Sequence, residues 1–361
     1  MAYTNIDDPS AHFQATTYTG AGANTVVTNG GNSDLKPDLL WIKNRTAGYA
    51  HFVVDSNRNI SYAQNSSNAP YFETDSTAAE NNNQNWMQSV NTDGFTTGIS
   101  EHTNSNSGSA FVAWQWKANG GTTTAFNESG SNPGGTRQTN TDAGFSIISY
   151  TGTGSNGTIA HGLPSTPEFL IFKRRDATQF WCVWHQAIGD DNKLALHLSD
   201  GLDADGAFMN STLPTSTNIT VGGASVNTNA DNGTYVCYAF SPIQGYSKFG
   251  KYVGNGSQDG PFVYTGFKPA FVIMKRSSGA GAWHLFDNKR SGYNYANDVL
   301  QADATAAELS GQTYQFVDFL SNGFKNRRAT HGPNVSGETY IYMAFAENPF
   351  VTSTGVPTTA R

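Results

Sequence analysis

Hydrophobic and polar residues alternate in three stretches of the chain that resemble one another. They read "GSAFVAWQWK" at 108–117, "NGTYVCYAFS" at 232–241 and "GETYIYMAFA" at 337–346. Each stretch begins with Gly or Asn, reaches an aromatic residue three positions later, and then places large apolar residues at every second position. A period of two in a segment rich in aromatic and β-branched residues predicts a β-strand. Three copies of one strand indicate a chain built by repetition of a single unit.

A second repeated pattern precedes each of these strands. It reads "PDLLWIK" at 37–43, "PEFLIFK" at 167–173 and "PAFVIMK" at 269–275. The continuous apolar run predicts a strand that is buried on both faces, with Pro at its start, where the missing N–H is tolerated. We expect the final lysines, Lys43, Lys173 and Lys275, to mark the points where these strands emerge into solvent.

The two patterns are separated by similar distances in all three copies, which predicts the same architecture in each. Short strands with alternating burial predict two packed antiparallel sheets per copy. The predicted fold class is therefore all-β, with three tandem antiparallel β-sandwich modules of the jelly-roll or lectin-like type. A β-propeller fits less well, since its blades are about half this length. The predicted boundaries are 1–117, 144–243 and 244–350 for the modules, 118–143 for a linker, and 351–361 for a flexible C-terminal tail or one that adds an edge to a partner.

Composition and charge exclude several classes of partner. The net charge is −7 and only 14% of the residues are charged, whereas a protein that binds a nucleic-acid backbone needs clustered lysines and arginines. The chain has no apolar run long enough to cross a membrane and no basic, apolar leader at its start. The two cysteines, Cys182 and Cys237, are predicted to be buried free thiols, since a disulfide framework needs more cysteines.

The sequence contains no recognised motif for catalysis, for metal binding or for cofactor binding. Carboxylate pairs such as Glu73 with Asp75 could serve glycoside hydrolysis, but close pairs also occur by chance among 28 acidic residues. The Asp-rich stretch 199–208 could hold Ca²⁺, although it lacks the ligand spacing of a calcium-binding loop and favours a solvated turn. The sequence thus predicts no catalytic residue, no metal, no cofactor and no enzymatic activity.

One polar signature, Asp-x-x-Arg, does repeat. It occurs at Asp55 with Arg58 and at Asp287 with Arg290, in each case directly after a predicted aromatic strand. With Trp283 as a stacking platform, these residues are the candidates for binding a sugar or a carboxylate. The alternative is structural, an Asx-type turn closed by a local ion pair.

Three segments resemble a known group of proteins. "MAYTNIDDPSAHFQ", "YSKFGKYVGNGSQDGPFVYTGFKPAFVIMKR" and "YIYMAFAENPF" resemble a family of virion proteins from tailed phages of marine bacteria, much of which is known only as a domain of unknown function. The resemblance covers nearly the whole chain. It implies a virion protein that is assembled in the host cytoplasm, and it brings no catalytic residues with it.

Two functions are consistent with this resemblance. In the first, the chain is a tail-fibre or head-fibre module that contacts the host surface and binds a glycan there. In the second, it is a capsid decoration protein or a tail component that stabilises the particle without binding a receptor. Both predict other virion proteins as partners and a homo-oligomer, for instance a trimer, and neither involves nucleic acid or membrane insertion.

Overall fold

The computed structural model describes residues 2–58, 69–83, 86–105, 108–292, 294–311, 317–329 and 332–358. Strands make up 43% of the structure, and the paired strands run antiparallel. The described residues contain no α-helix and no helix that is long and apolar enough to cross a membrane. Their short 3₁₀ helices are Pro9–Ala11, Ser56–Arg58, Gln186–Ile188 and Gly332–Asn334. The predicted all-β class is confirmed.

The N-terminal third forms a four-stranded main sheet covered by a smaller one. Its strands are β1 (Phe13–Thr19), β2 (Thr25–Val27), β3 (Leu39–Asn44), β4 (Phe52–Asp55), β5 (Ala69–Tyr71), β6 (Asn81–Asn83), β7 (Met87–Val90), β8 (Phe95–Thr97) and β9 (Ala110–Trp116). The first main sheet has the order β1-β9-β3-β4, the smaller sheet has the order β2-β8-β7, and β5 pairs with β6. Residues of both sheets, among them Phe95 and Phe111, share one buried apolar cluster.

The middle third contains a main sheet of eight strands. Its strands are β10 (Thr124–Phe126), β11 (Gly134–Asn140), β12 (Phe145–Thr151), β13 (Gly157–Ala160), β14 (Phe169–Arg174), β15 (Trp181–His185), β16 (Asn192–Ala195), β17 (Asp203–Ala204), β18 (Asn218–Val221) and β19 (Thr234–Phe240). The second main sheet has the order β10-β11-β12-β19-β14-β15-β16-β17, and β13 pairs with β18. The prediction of a linker at 118–143 was wrong, because β10 and β11 lie in it. Strand β10 pairs with β11 and β11 pairs with β12, so backbone pairing attaches both of these largely polar strands to the sheet.

The C-terminal third repeats the arrangement of the first. Its strands are β20 (Ser247–Val253), β21 (Phe262–Tyr264), β22 (Phe267–Arg276), β23 (His284–Asp287), β24 (Leu300–Gln301), β25 (Val317–Leu320), β26 (Gly323–Asn326) and β27 (Thr339–Pro349). The third main sheet has the order β20-β27-β22-β23-β24, and a smaller sheet has the order β21-β26-β25.

The described part of the predicted tail, residues 351–358, is ordered by local contacts. A bridge joins Val351 to Pro357, and the Ser353 N–H donates to Asp7 Oδ1 at 2.6 Å. These residues therefore contact the N-terminal segment.

The three main sheets share a strand order and a register. The order β1-β9-β3-β4 recurs as β12-β19-β14-β15 and as β20-β27-β22-β23. The pairing of the central strand with its neighbours makes Trp116, Phe240 and Phe345 equivalent positions. Residues elsewhere in the sheets can be aligned by counting from these three.

One apolar core joins the three main sheets. A single buried cluster contains residues from all of them. At its centre the ring centroid of Phe345 lies 5.7 Å from that of Trp116 and 5.8 Å from that of Phe240. Each main sheet thus contacts the other two, and we call the three contact regions seam 1–2, seam 2–3 and seam 3–1.

Candidate functional site

The five residues that the sequence offered as a ligand site are buried in the seams. The solvent exposure of Asp55, Arg58, Trp283, Asp287 and Arg290 ranges from 0% to 8%. Asp55, Trp283 and Asp287 bond to neighbouring sheets, and Arg58 and Arg290 pair with the two buried carboxylates. They therefore form no surface platform on which a glycan could stack. The structural alternative for the Asp-x-x-Arg signature describes their contacts.

In seam 1–2, the first Asp-x-x-Arg pair ties the end of β4 to the second main sheet. Asp55 Oδ1 accepts hydrogen bonds from the N–H groups of Asn57 and Arg58, at 3.1 and 3.0 Å. Arg58 Nε lies 2.5 Å from Asp55 Oδ2, and the Tyr238 hydroxyl donates to the same oxygen at 2.6 Å. Glu80 accepts from Arg58 Nη1 at 3.0 Å. The buried carboxylate and guanidinium are therefore both satisfied, which such groups need inside a protein.

In seam 3–1, the second pair makes the same contacts. Arg290 Nε lies 2.6 Å from Asp287 Oδ2, and Trp114 Nε1 donates to this oxygen at 3.0 Å. Arg290 Nη1 also pairs with Glu308 at 2.8 Å. Burial alone would raise the pKa of Asp287, but the Arg290 charge and its hydrogen bonds hold that pKa below its ordinary value.

In seam 2–3, the equivalent residues are different. The register places His185 where the other seams have Asp, Ile188 where they have Arg, and Met343 where they have a Tyr or Trp donor. Burial lowers the pKa of His185 to about 4, so the ring is neutral at physiological pH. Seams 1–2 and 3–1 therefore each contain a buried Asp–Arg pair with a Tyr or Trp donor, whereas seam 2–3 has no ion pair at this position.

Trp283 belongs to a second set of equivalent contacts. Its Nε1 donates to the Ala195 carbonyl of the second main sheet at 2.9 Å. Trp181 donates in the same way to the Glu73 carbonyl at 2.9 Å, and His51 Nε2 lies 2.9 Å from the Gln301 carbonyl. Each of these aromatic side chains thus attaches its own strand to another unit, the third to the second, the second to the first, and the first to the third.

The three lysines that end the apolar strands are buried instead of emerging into solvent, so that prediction was wrong. Each has an exposure of 0%. Each Nζ donates to a backbone carbonyl across a seam, at Thr305 for Lys43, Thr77 for Lys173 and Ser199 for Lys275. These carbonyls, together with carbonyls of the lysine's own unit, replace the water that a lysine normally needs. Burial lowers each pKa to about 8.

The candidate functional site is an open cleft at seam 2–3, which the sequence did not reveal. Its volume is about 470 Å³, and it lies between Glu168, which directly precedes strand β14 of the second main sheet, and strand β20 of the third. The lining includes Glu168, Gln186, Lys248 and Tyr264, together with Tyr3 from the N-terminal segment.

The carboxylate in this cleft lacks the surroundings of its counterpart in seam 1–2. There Asp38 Oδ2 accepts from the N–H groups of Ala118 and Gly120, at 2.7 and 2.8 Å. The register makes Glu168 equivalent to Asp38 and Pro242 equivalent to Ala118, and proline has no N–H to donate. Gln186 Nε2 donates to Glu168 Oε2 at 2.6 Å. Burial raises the pKa of Glu168 to about 7.

Two tyrosines and a lysine complete the cleft. Tyr264 is 48% exposed, and its hydroxyl lies 3.3 Å from that of Tyr3, which donates to the Gly266 carbonyl. Lys248 Nζ donates to the Tyr264 carbonyl at 2.8 Å and lies 5.1 Å from the ring centroid. The cleft therefore offers a half-buried acceptor, an ammonium, an amide and aromatic faces to a polar ligand or an extended peptide.

A weak signal for this site was present in the sequence. Glu168 follows the proline of the second apolar pattern, at the position that holds Asp38 and Ala270 in the other copies. The pattern allowed any residue there, so a carboxylate at the mouth of a buried strand was overlooked.

Other polar features are local. Smaller cavities of about 370 and 260 Å³ flank Asn288 beside seam 3–1. In the stretch 199–208, Asp203 and Asp205 pair with Lys193 Nζ at 2.6 and 2.7 Å. The described ranges contain no group of three His, Cys, Asp or Glu side chains that could hold a metal ion, and Cys182 and Cys237 are buried free thiols.

Comparison with known proteins identifies a family. The model of a family described as a domain of unknown function (DUF7483) matches residues 8–349, nearly the whole chain. The chain therefore belongs to that family. No curated protein and no solved structure is significantly similar to it.

Proposed function

We propose that this member of the DUF7483 family is a structural protein of a phage particle, built as three β-sandwich modules around a common core. The observation that carries the proposal is the use made of the conspicuous polar and aromatic residues. Asp55, Asp287 and Trp283 all bond across seams within the chain. A body locked in this way suits a mechanical role, and the sequence resemblance to virion proteins supports the particle as its place.

The three-module form also bears on the oligomer that the sequence predicted. In this proposal the three units are arranged around one axis, so a single chain presents three similar outer faces. Such a body could sit at a local three-fold position of a particle as a monomer. Its partners in the proposal are the neighbouring virion proteins.

The experiment that tests the proposal is localisation on intact particles. Purified phage would be labelled with an antibody raised against the whole chain and viewed by electron microscopy. Label spread over the head or along the tail supports a structural part. Absence of label from particles, with the protein found only in infected-cell lysate, would refute the proposal.

A second candidate function is contact with a host-surface glycan, and the open cleft at seam 2–3 favours it. Exposed Tyr264 beside Glu168 and Lys248 provides a stacking face with polar groups at its edge. In this case Tyr264→Ala would leave particle assembly intact and reduce adsorption to host cells. Lys289→Ala, in an exposed residue outside this cleft, is the matched control, and equal adsorption of both variants would exclude the glycan role for this cleft.

A further inference from the structure

In seam 1–2, strand β11 occupies the place that is an open cleft in seam 2–3. It pairs with β12 along its length, so β12 has neighbours on both sides. Asn57 holds this arrangement from the first main sheet, because its Nδ2 donates to the carbonyls of Thr136 in β11 and Ile147 in β12, at 3.1 and 3.2 Å. The added strand thus lies across the boundary of two main sheets.

Strand β20 is the equivalent of β12 in the third main sheet, and its outer edge is open. It stands at the end of the sheet order, with β27 as its partner strand among the described residues, and a single bridge to Ile243 occupies its edge at Ser247. Phe249 occupies the position of Ile147, and its carbonyl accepts from Gln186 Nε2 at 3.0 Å as that of Ile147 accepts from Asn57. The seam contact is therefore conserved between the two places, while the added strand is present in only one.

Backbone alternation fixes which groups of β20 face the open side. The Tyr246 carbonyl accepts from the Ala346 N–H in β27, and successive residues of a strand direct their N–H and C=O groups to opposite sides. The groups of Phe249 and Lys251 therefore point away from β27, toward the cleft side of the sheet. These are the groups that a further antiparallel strand would pair with.

The Glu168 carboxylate at this cleft lacks the backbone donors that its counterpart Asp38 has in seam 1–2. At seam 1–2, backbone N–H groups of the segment that leads into β10 and β11 cover Asp38. Glu168 stands at the same position with Pro242 beside it, so the chain cannot supply the same donor. An incoming backbone can.

We propose that an extended segment of a partner polypeptide, rich in Gly and Thr as β11 is, adds antiparallel to the open edge of β20 and donates backbone N–H groups to the Glu168 carboxylate. The proposal rests on the proposed structural role, and it names how the body is attached to a neighbour. The edge of β1 is a poorer place, since the cleft beside it has only about 260 Å³ and Ala270 stands where the carboxylate would be.

The test uses a fluorescent synthetic peptide with the sequence of residues 118–140, added to the full-length protein and followed by fluorescence anisotropy. We expect saturable binding that weakens about tenfold in Glu168→Gln, because charge-assisted bonds to the carboxylate are lost. Lys251→Pro removes an edge-facing N–H and should abolish binding, whereas Lys251→Ala should leave it unchanged. Thermal unfolding of each variant checks that it is folded.

Three outcomes would overturn the proposal. The first is no saturable binding of the peptide, and the second is binding that both Glu168→Gln and Lys251→Pro leave intact. The third is concentration-dependent self-association that Lys251→Pro removes, without peptide binding, which would assign the edge to a second copy. Specific peptide binding with no antibody label on particles would leave the docking edge standing and refute only the role in the particle.

Discussion

Seam 1–2 and seam 2–3 are flanked by equivalent strands, yet they are stabilised differently. Seam 1–2 contains a buried ion pair at Asp55 and Arg58, and the chain's own strand β11 fills its cleft. Seam 2–3 has His185 and Ile188 at the same two positions and an open cleft with an under-solvated Glu168. A repeated fold can thus keep the same strand pairing in each copy and still differ at the seams. One seam contains a buried ion pair, and the other contains an accessible carboxylate.

The largest expected effect comes from breaking the ion pair of seam 1–2. Arg58→Met leaves the Asp55 carboxylate buried beside Tyr238 without its counter-charge, so the free energy of unfolding should fall by about 3–5 kcal/mol. Urea unfolding followed by tryptophan fluorescence measures this change. The control is Ile188→Met at the equivalent position of seam 2–3, which should cost less than about 1.5 kcal/mol. Equal losses in both variants would show that the ion pair is no more important than the apolar contact.

The next effect is a pH dependence that belongs to seam 2–3. The pKa of His185 is about 4 in the folded protein and near 6.5 in the unfolded chain. Between these values the unfolded chain binds more protons, so stability falls as the pH drops from 6.5 to 4, by up to about 3 kcal/mol. His185→Asn keeps an acceptor for the Ala187 N–H and should remove this part of the slope, as measured by urea unfolding at several pH values. Ile188→Met should retain the wild-type slope, and an unchanged slope in His185→Asn would contradict the assignment.

A smaller change in stability is expected when Glu168 or Asp38 is replaced by its amide, and the two changes should have opposite signs. The folded pKa of Glu168, about 7, lies above its ordinary value, so its stabilising contribution is present at low pH and is lost as the pH rises through 7. Glu168→Gln should therefore stabilise the protein at pH 8 by about 1 kcal/mol, a figure reduced for partial exposure, and change little at pH 5. Asp38→Asn should instead destabilise it by about 1–3 kcal/mol, since two backbone donors lose a charged acceptor. Thermal unfolding at both pH values tests the pair, and a shared sign would remove the proposed distinction.

The smallest expected effect is a local repair of seam 2–3. Pro242→Ala restores an N–H at the position that serves Asp38 in seam 1–2, so the pKa of Glu168 should move down from about 7. Carboxyl NMR titration of Glu168 measures this shift, and the change in stability should stay within about 1 kcal/mol. Gln244→Ala in the same cleft is the control. A Glu168 pKa that is the same in Pro242→Ala and in the wild type would show that the missing donor is not the cause.

The strands themselves were predictable because their side chains alternate. The aromatic stretches around Trp116, Phe240 and Phe345 became the central strands β9, β19 and β27, each at its predicted place in the chain. Strand β11, "GGTRQTN", has no apolar alternation, and its backbone pairing with β12 and β10 makes it a strand. Periodicity finds strands that pack by side chains and misses strands that are held by backbone.

The fate of the polar residues was not predictable from the sequence, since it depends on what lies beyond the second face of each sheet. Lys43 ends an apolar run in the way a solvent-exposed lysine would, but its Nζ donates to the carbonyls of Tyr49 in its own unit and of Thr305 in the neighbouring unit. Asp287 and Arg290 have the composition of a ligand site and are used inside a seam. The pattern did not predict a role for Glu168, because it allows any residue at that position.

The closing of the three sheets into a ring has a consequence for how the protein could be rearranged. The hydroxyl groups of Thr4 and Tyr3 in the N-terminal segment donate to the carbonyls of Gln244 and Gly266, which lie just before strands of the third unit, and Asp7 accepts from the Ser353 N–H. Both terminal segments therefore meet at one place on the surface. A circular permutant that joins them with a short linker and opens the chain at an exposed turn elsewhere would keep every seam. In such a body the contacts between units depend on the cyclic order of the three units and not on which unit comes first in the chain.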